Sequence, residues 1–145
     1  MPETNPEDVN LISWWELNEE SGERADSHGV NNLSDINTVL FAAGKVGNAA
    51  DFELTNSEEL RIADGDQTGL DIAGDFTIAF WMKLEQLPST PGDLFMIVNK
   101  GDRGTNDRSY IVYLTAIDEI GIFVSDDGTA AATHQKQILL VRLSR

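Results

Sequence analysis

Apolar and polar positions alternate most regularly between residues 76 and 84. Phe76, Ile78, Phe80, Met82 and Leu84 fall on one parity, and Thr77, Ala79, Trp81 and Lys83 on the other. A period of two is that of an extended strand with one face in a core; a helix would place apolar residues three and four apart. Shorter apolar runs lie on both sides of it. Residues 9–17, aromatic and aliphatic, predict a first strand, and residues 38–42, 49–54 and 60–63 predict three more. Residues 94–98, 110–114 and 120–124 continue the series, and residues 137–143 are a candidate last strand. Between them lie segments rich in Gly, Asn, Asp, Ser and Glu. Residues 18–32 predict a long loop, and residues 101–109 (GDRGTNDRS) and 115–119 predict hairpin connections. Asp64-Gly65-Asp66 and Asp126-Asp127-Gly128 predict tight turns. No segment holds a helical period, and many short strands separated by turn residues predict an all-β, two-sheet antiparallel sandwich.

Composition refines this picture. At 145 residues with 41% hydrophobic content, the chain is sized for one folded domain. Residues 1–8, with two prolines and three acids, predict a flexible tail, and residues 9–145 a single sandwich domain. The formal charge of −15 repels phosphate backbones and anionic membrane surfaces, so nucleic acid is not an expected partner. The chain has no cysteine, hence no disulfide framework and no thiolate chemistry. No signal peptide is visible at the acidic start of the sequence, and no stretch approaches the about 20 apolar residues of a membrane helix.

Four pieces of sequence, taken in order, resemble the laminin-G-like jelly rolls of the concanavalin A-like lectin and glucanase superfamily. The first is Leu11-Ile-Ser-Trp-Trp-Glu-Leu-Asn-Glu-Glu-Ser-Gly22, followed by Ala25-Asp26-Ser27 and Gly29-Val-Asn-Asn32. The second is Gly44-Lys-Val-Gly-Asn-Ala-Ala-Asp-Phe52, and the third Asp75-Phe-Thr-Ile-Ala-Phe-Trp-Met-Lys83. Ile97-Val-Asn-Lys-Gly101 and residues 110–114 complete the set, which spans roughly residues 10–126. The pattern departs after Ser125-Asp-Asp-Gly-Thr129, where such domains continue into further closing strands. The expectation is a jelly roll incomplete at its C-terminal end, whose open edges a neighbouring chain or the rest of a longer protein completes.

The resemblance implies a non-catalytic binding or adhesion module for carbohydrate or another protein surface, located outside the cell or on a particle surface. The alternative is a structural or decorating protein of a virion or cell surface that assembles as a homo-oligomer or within a larger particle. A second alternative is a degenerate glycosidase domain, but the strand-borne Glu-x-Asp-x-x-Glu or Glu-x-Asp-x-Glu arrangement that glycosidases on related folds use is missing. Asp118-Glu119 would point to opposite faces of a strand, and the local sequence favours a turn. His28 and His134 stand in polar loop contexts with no nucleophile motif near either, so no catalytic residue is expected. The resemblance also implies a structural calcium ion held by Asp26 and Asn31, with Glu16 as a candidate third ligand. The competing role for Asp26 is an Asx-turn. For ligand binding the candidates are Trp81, on the parity opposite the core face, and Asp102, Arg103, Asn106 and Arg108 in the polar loop.

Overall fold

The computed structural model describes residues 10–72, 74–102, 107–128 and 140–143, and every structural statement concerns these. The chain is all-β. Strands β1 (Ser34–Ile36), β2 (Leu40–Ala43), β3 (Asn48–Asp51) and β4 (Glu59–Arg61) come first. They are followed by β5 (Ala79–Met82), β6 (Phe95–Asp102), β7 (Asp107–Leu114), β8 (Ile120–Gly128) and β9 (Leu140–Leu143). Only two single-turn 3-10 helices, Leu54–Asn56 and Asp64–Asp66, interrupt them. Among the described residues, no helix is long and apolar enough to cross a membrane. The contacts divide the chain into two compact units, Met1–Leu70 and Asp71–Arg145.

The first unit holds two small antiparallel sheets, β1 with β4 and β2 with β3. Its interior is unusual in kind. Among its described residues the buried ones are Arg24, Asp26, Asn31 and Val39, a single apolar side chain against three polar ones. Trp14, Trp15, Leu33, Ile36, Leu60 and Ile62 are half-buried, and several other large apolar residues lie outside. All four residues of β2 are exposed, including Leu40 and Phe41, as are Val46 in the following turn and Phe52 and Leu54 beyond β3.

The second unit has the conventional arrangement. Strands β6, β7 and β8 form an antiparallel sheet with β7 in the centre, and Tyr110, Ile111, Val112 and Leu114 of that strand are buried. A central strand covered on both faces reads as a continuous apolar run, as this one does. Phe76 packs its ring against Tyr110, with centroids 5.0 Å apart. Burial alternates from Phe76 to Leu84 residue by residue, half-buried on the even positions and exposed on the odd ones, although only Ala79–Met82 pair as a strand. Residues 115–119 close the β7–β8 hairpin: Thr115 donates to the Glu119 carbonyl at 2.8 Å, and Asp118 adopts φ +64°. The Asp118 carboxylate accepts the Ser89 amide at 2.9 Å and hydroxyl at 2.6 Å, which ties that turn to the segment before β6.

Four differences from the sequence expectations have local causes. Residues 10–17 form no regular strand, because their backbone groups bond to a side chain and to a loop, as described below. Strand β1, Ser-Asp-Ile, is too short and polar to announce itself. Residues 126–128 continue β8 rather than turn, Gly128 pairing with Arg108 after a register shift. Finally, β9 runs parallel to β5, Ala79 opposite Leu140 and Met82 opposite Leu143, where an antiparallel partner was expected.

At Gly121 a side chain has no room. Tyr113, its cross-strand partner, lays its ring directly over the position a Cβ would occupy. Gly121→Ala is therefore expected to push the ring off β8 and to lower stability by about 1–3 kcal/mol, measured by urea unfolding. Tyr113→Ala in the same background should recover part of that loss, since the clash then has no second party.

Candidate functional site

The segment from Leu11 to Leu33 carries the most organised chemistry in the first unit, and it is organised around one carboxylate. Asp26 Oδ1 accepts three backbone amides: Trp14 at 2.9 Å, His28 at 3.1 Å and Gly29 at 2.9 Å. Its Oδ2 accepts the Asn31 amide at 3.1 Å. The bonds from His28 and Gly29, two and three residues on, form an Asx-turn that bends the loop back on itself. The bond from Trp14 fastens that turn to the segment before it, and the Ser27 amide returns a bond to the Trp14 carbonyl at 2.7 Å. Thus Trp14 uses its backbone on Asp26 and Ser27, and the expected strand is replaced by a single bridge, Trp15 opposite Asp26. Gly29 is glycine because a Cβ there would come within 2.7 Å of the Asp26 carboxylate and 2.8 Å of the Ile12 carbonyl.

Asn31 is the second anchor. Its side-chain amide donates to the Thr68 carbonyl at 2.9 Å and accepts the Thr68 amide at 2.6 Å, a two-bond ring that imitates a strand pair. The same Nδ2 donates to the Ser13 hydroxyl at 2.7 Å, and that hydroxyl in turn bonds Asp26. Trp15 Nε1 donates to the Asn31 carbonyl at 2.7 Å. Beneath the loop, Arg24 is fully buried and spends its guanidinium on carbonyls: Nη1 on Gly22, Nη2 on Val39 at 2.9 Å and on Leu40 at 3.4 Å. Asp35 accepts the Gly22 amide at 3.1 Å and the Val39 amide at 2.8 Å, which closes the same region from the other side.

Burial pushes the Asp26 carboxyl up, but the N–H donors of Gly29, Trp14 and His28, with the Ser13 hydroxyl, overcome it and hold the group at about 2. An ionised carboxylate has about four lone-pair sites, and here four amides and the Ser13 hydroxyl share them. A cation at Asp26 would therefore have to displace hydrogen bonds that already stabilise the charge. Glu16, the candidate third ligand, is exposed and takes the Asn18 side-chain amide at 2.9 Å. Among the described residues, no three His, Asp or Glu side chains come together in a way that could hold a metal ion.

On the outside of this loop lies a shallow groove of about 340 Å³. It is lined by Glu23, Val30 and Asn32 of the loop, Ser34 and Ile36 of β1, Arg61 of β4, and Ile62, Ala63 and Asp66 beyond it. Asn32 is held in place twice, accepting the Asp26 amide at 2.9 Å and donating to Glu23 at 2.9 Å. Arg61 pairs with Glu59 two residues back at 3.4 Å, both of them exposed. Nothing in the sequence pattern marked this groove; its residues come from two stretches of chain, 23–36 and 61–66.

The ligand-binding candidates named from sequence lie in the second unit. Trp81 stands on the exposed face of β5, 53% accessible. At one end of the β6–β7 hairpin the backbone of Gly101 pairs with Arg108 and that of Asp102 with Asp107. The Arg108 guanidinium lies 6.0 Å from the centre of the Phe123 ring, a cation–π distance. Arg103 and Asn106 lie outside the described residues, as does His134. His28 is exposed. No protein-family model, curated protein or solved structure matches this chain.

Two outcomes are expected of the Asp26 node. Because the folded carboxyl sits near 2 and an unfolded one near 3.9, its contribution is complete above about pH 5 and is lost as the pH falls toward 2. Asp26→Asn should be less stable than wild type by on the order of 2 kcal/mol at pH 7, and the gap should narrow by about 1–2 kcal/mol at pH 2. Urea titrations at both pH values measure it; a constant gap would remove the carboxylate charge from the account. Second, millimolar Ca²⁺ or EDTA should leave the melting midpoint unchanged, because the Asp26 oxygens are occupied by amides; a rise with Ca²⁺ alone would show that the ion displaces them.

Proposed function

We propose that this chain is a non-catalytic binding module on a jelly-roll frame, acting on carbohydrate or on another protein's surface. The observation that carries this is the rigid loop of residues 22–33: a buried hydrogen-bond network fixes its backbone while its outer side chains line a groove. A site held by such supporting contacts binds without first having to order itself. The exposed indole of Trp81 in the second unit supports the same reading, since an exposed ring is a common platform for a sugar face. The acidity argues against nucleic acid as the ligand. A place outside the cell or on a particle surface suits such a module.

One observation favours a second reading, a structural or decorating protein that assembles with copies of itself. Leu40, Phe41, Val46, Phe52 and Leu54 are exposed on and around one hairpin, and apolar patches of this kind commonly mark contact surfaces. Glycan-array binding together with light scattering across a hundred-fold range of protein concentration separates the two. The binding module is expected to capture glycans while staying at one mass. An oligomer at every concentration, with no glycan retained, would replace the first reading with the second.

A further inference from the structure

Strand β2 leaves a short stretch of sheet edge open. Among the described residues its one strand neighbour is β3. The Gly44 amide bonds the Gly47 carbonyl at 2.9 Å, so in the register of this pair residues 42 and 40 bond toward β3. The N–H and C=O groups of Phe41 and Ala43 then point away from it. Asn48, opposite Ala43, accordingly sends its amide to Asn18 at 3.0 Å rather than to β2. The next residue of that parity, Val39, has its carbonyl taken by Arg24 and its amide by Asp35. The open edge is thus confined to residues 41–43, and among the described residues nothing bonds Phe41 or Ala43 there. Edges are commonly blunted by charge, proline or a bulge. Strand β2, Leu-Phe-Ala-Ala, has none of these, and all four residues are exposed. Residues 36–50 contain no acid and a single charge, Lys45, in a chain of net charge −15. Two copies repel one another overall, and this hairpin brings no like acids together.

We propose that β2 pairs antiparallel with β2 of a second copy about a two-fold axis through Ala42. In this register Phe41 lies opposite Ala43 of the other copy, and their outward N–H and C=O groups bond one another. Every open group of the edge is used, and no group held by Arg24 or Asp35 is disturbed. A pair centred on Phe41 would instead call on Val39, whose groups are already taken. Ala42 meets Ala42 as a non-bonded pair, whose Cα atoms approach to about 4.5 Å, a spacing that suits a small side chain. Lys45 comes opposite Val39, beside the Asp35 carboxylate that holds the Val39 amide. Two separate ribbons become one four-stranded sheet, β3-β2-β2-β3, which covers part of the exposed Leu40 and Phe41. The inference rests on the reading of the chain as one that assembles with copies of itself, and it fixes where the copies meet. It stands beside glycan binding, because a lasting dimer also keeps one mass.

The chain has no cysteine, so Ala42→Cys supplies one thiol at the axis, where the Cα spacing suits a disulfide. Under mild oxidation it is expected to form a two-chain species at least about ten-fold faster than Val30→Cys, an exposed control away from the edge. Ala42→Glu and Ala42→Lys, each checked for folding by circular dichroism, should each weaken the dimer at least about ten-fold in light scattering. Like charges then face one another at the axis, and mixing the two variants should restore the two-chain mass. Wild type at one-chain mass at every concentration would remove both the pairing and the assembly reading beneath it. A stable oligomer in which Ala42→Cys crosslinks no faster than Val30→Cys would overturn the pairing while leaving assembly standing. Slow hydrogen exchange of the Phe41 and Ala43 amides in a one-chain species would also overturn it, since the chain's own residues would then cover the edge.

Discussion

The first unit depends on the Asp26 carboxylate gathering amides from Trp14, His28, Gly29 and Asn31. These four donors belong to two stretches of chain that form no sheet with one another, so without the carboxylate their polar groups would need water. Burying a charge is costly unless hydrogen bonds replace its hydration, and here they more than replace it, since the group stays ionised far below the ordinary carboxylate range. Arg24 is the same solution with the sign reversed. Its charge is dispersed over the carbonyls of Gly22, Val39 and Leu40, and those contacts fix the chain entering β2. With Val39 as the one buried apolar side chain among the described residues of this unit, directional bonds take over much of the positioning that apolar packing performs elsewhere.

The two units thus illustrate two ways of specifying a fold. In the second, Tyr110, Ile111, Val112 and Leu114 of the central strand lie inside a three-stranded sheet, while Met96, Ile120 and Ile122 on the flanking strands are exposed. In the first, the apolar residues of β2 face outward while an arginine, an aspartate and an asparagine go inside. Directional hydrogen bonds admit few geometries, so they restrict a loop more than apolar contacts do. That strictness suits a loop whose outer face must keep Glu23, Val30 and Asn32 at fixed positions.

This contrast explains which parts of the molecule were legible in the sequence. The alternation from Phe76 to Leu84 matched burial residue by residue, and the runs at 38–42, 49–54, 60–63, 94–98, 110–114 and 120–124 each overlap a strand, because in all of them backbone pairing follows the residue pattern. The run at 9–17 looked equally strand-like and is not one. Its amide at Trp14 bonds a side chain twelve residues away, and periodicity carries no information about such a partner. Asp26 and Asn31 were singled out for their oxygens, and the structure gives those oxygens to backbone amides. The Asx-turn was legible, since Asp followed by Ser-His-Gly is turn chemistry; the reach from Asn31 to Thr68, 37 residues on, was not.

Arg24 was the least visible of all. In the string Ser-Gly-Glu-Arg-Ala-Asp it has the company of a solvated loop, and nothing short of the fold shows that its donors end on Val39 and Leu40. Its burial has a consequence for the groove. The guanidinium bonds the carbonyls of Val39 and Leu40 at the start of β2, and Asp35 of β1 bonds the Val39 amide, so β1 is tethered to the loop on both sides of the turn at Asn37 and Thr38. Ser34 and Ile36, the two groove residues on β1, therefore inherit their positions from the same network that holds Glu23, Val30 and Asn32 of the loop. The groove residues of the loop and those of β1 thus share one set of polar bonds, made by Arg24, Asp26 and Asp35.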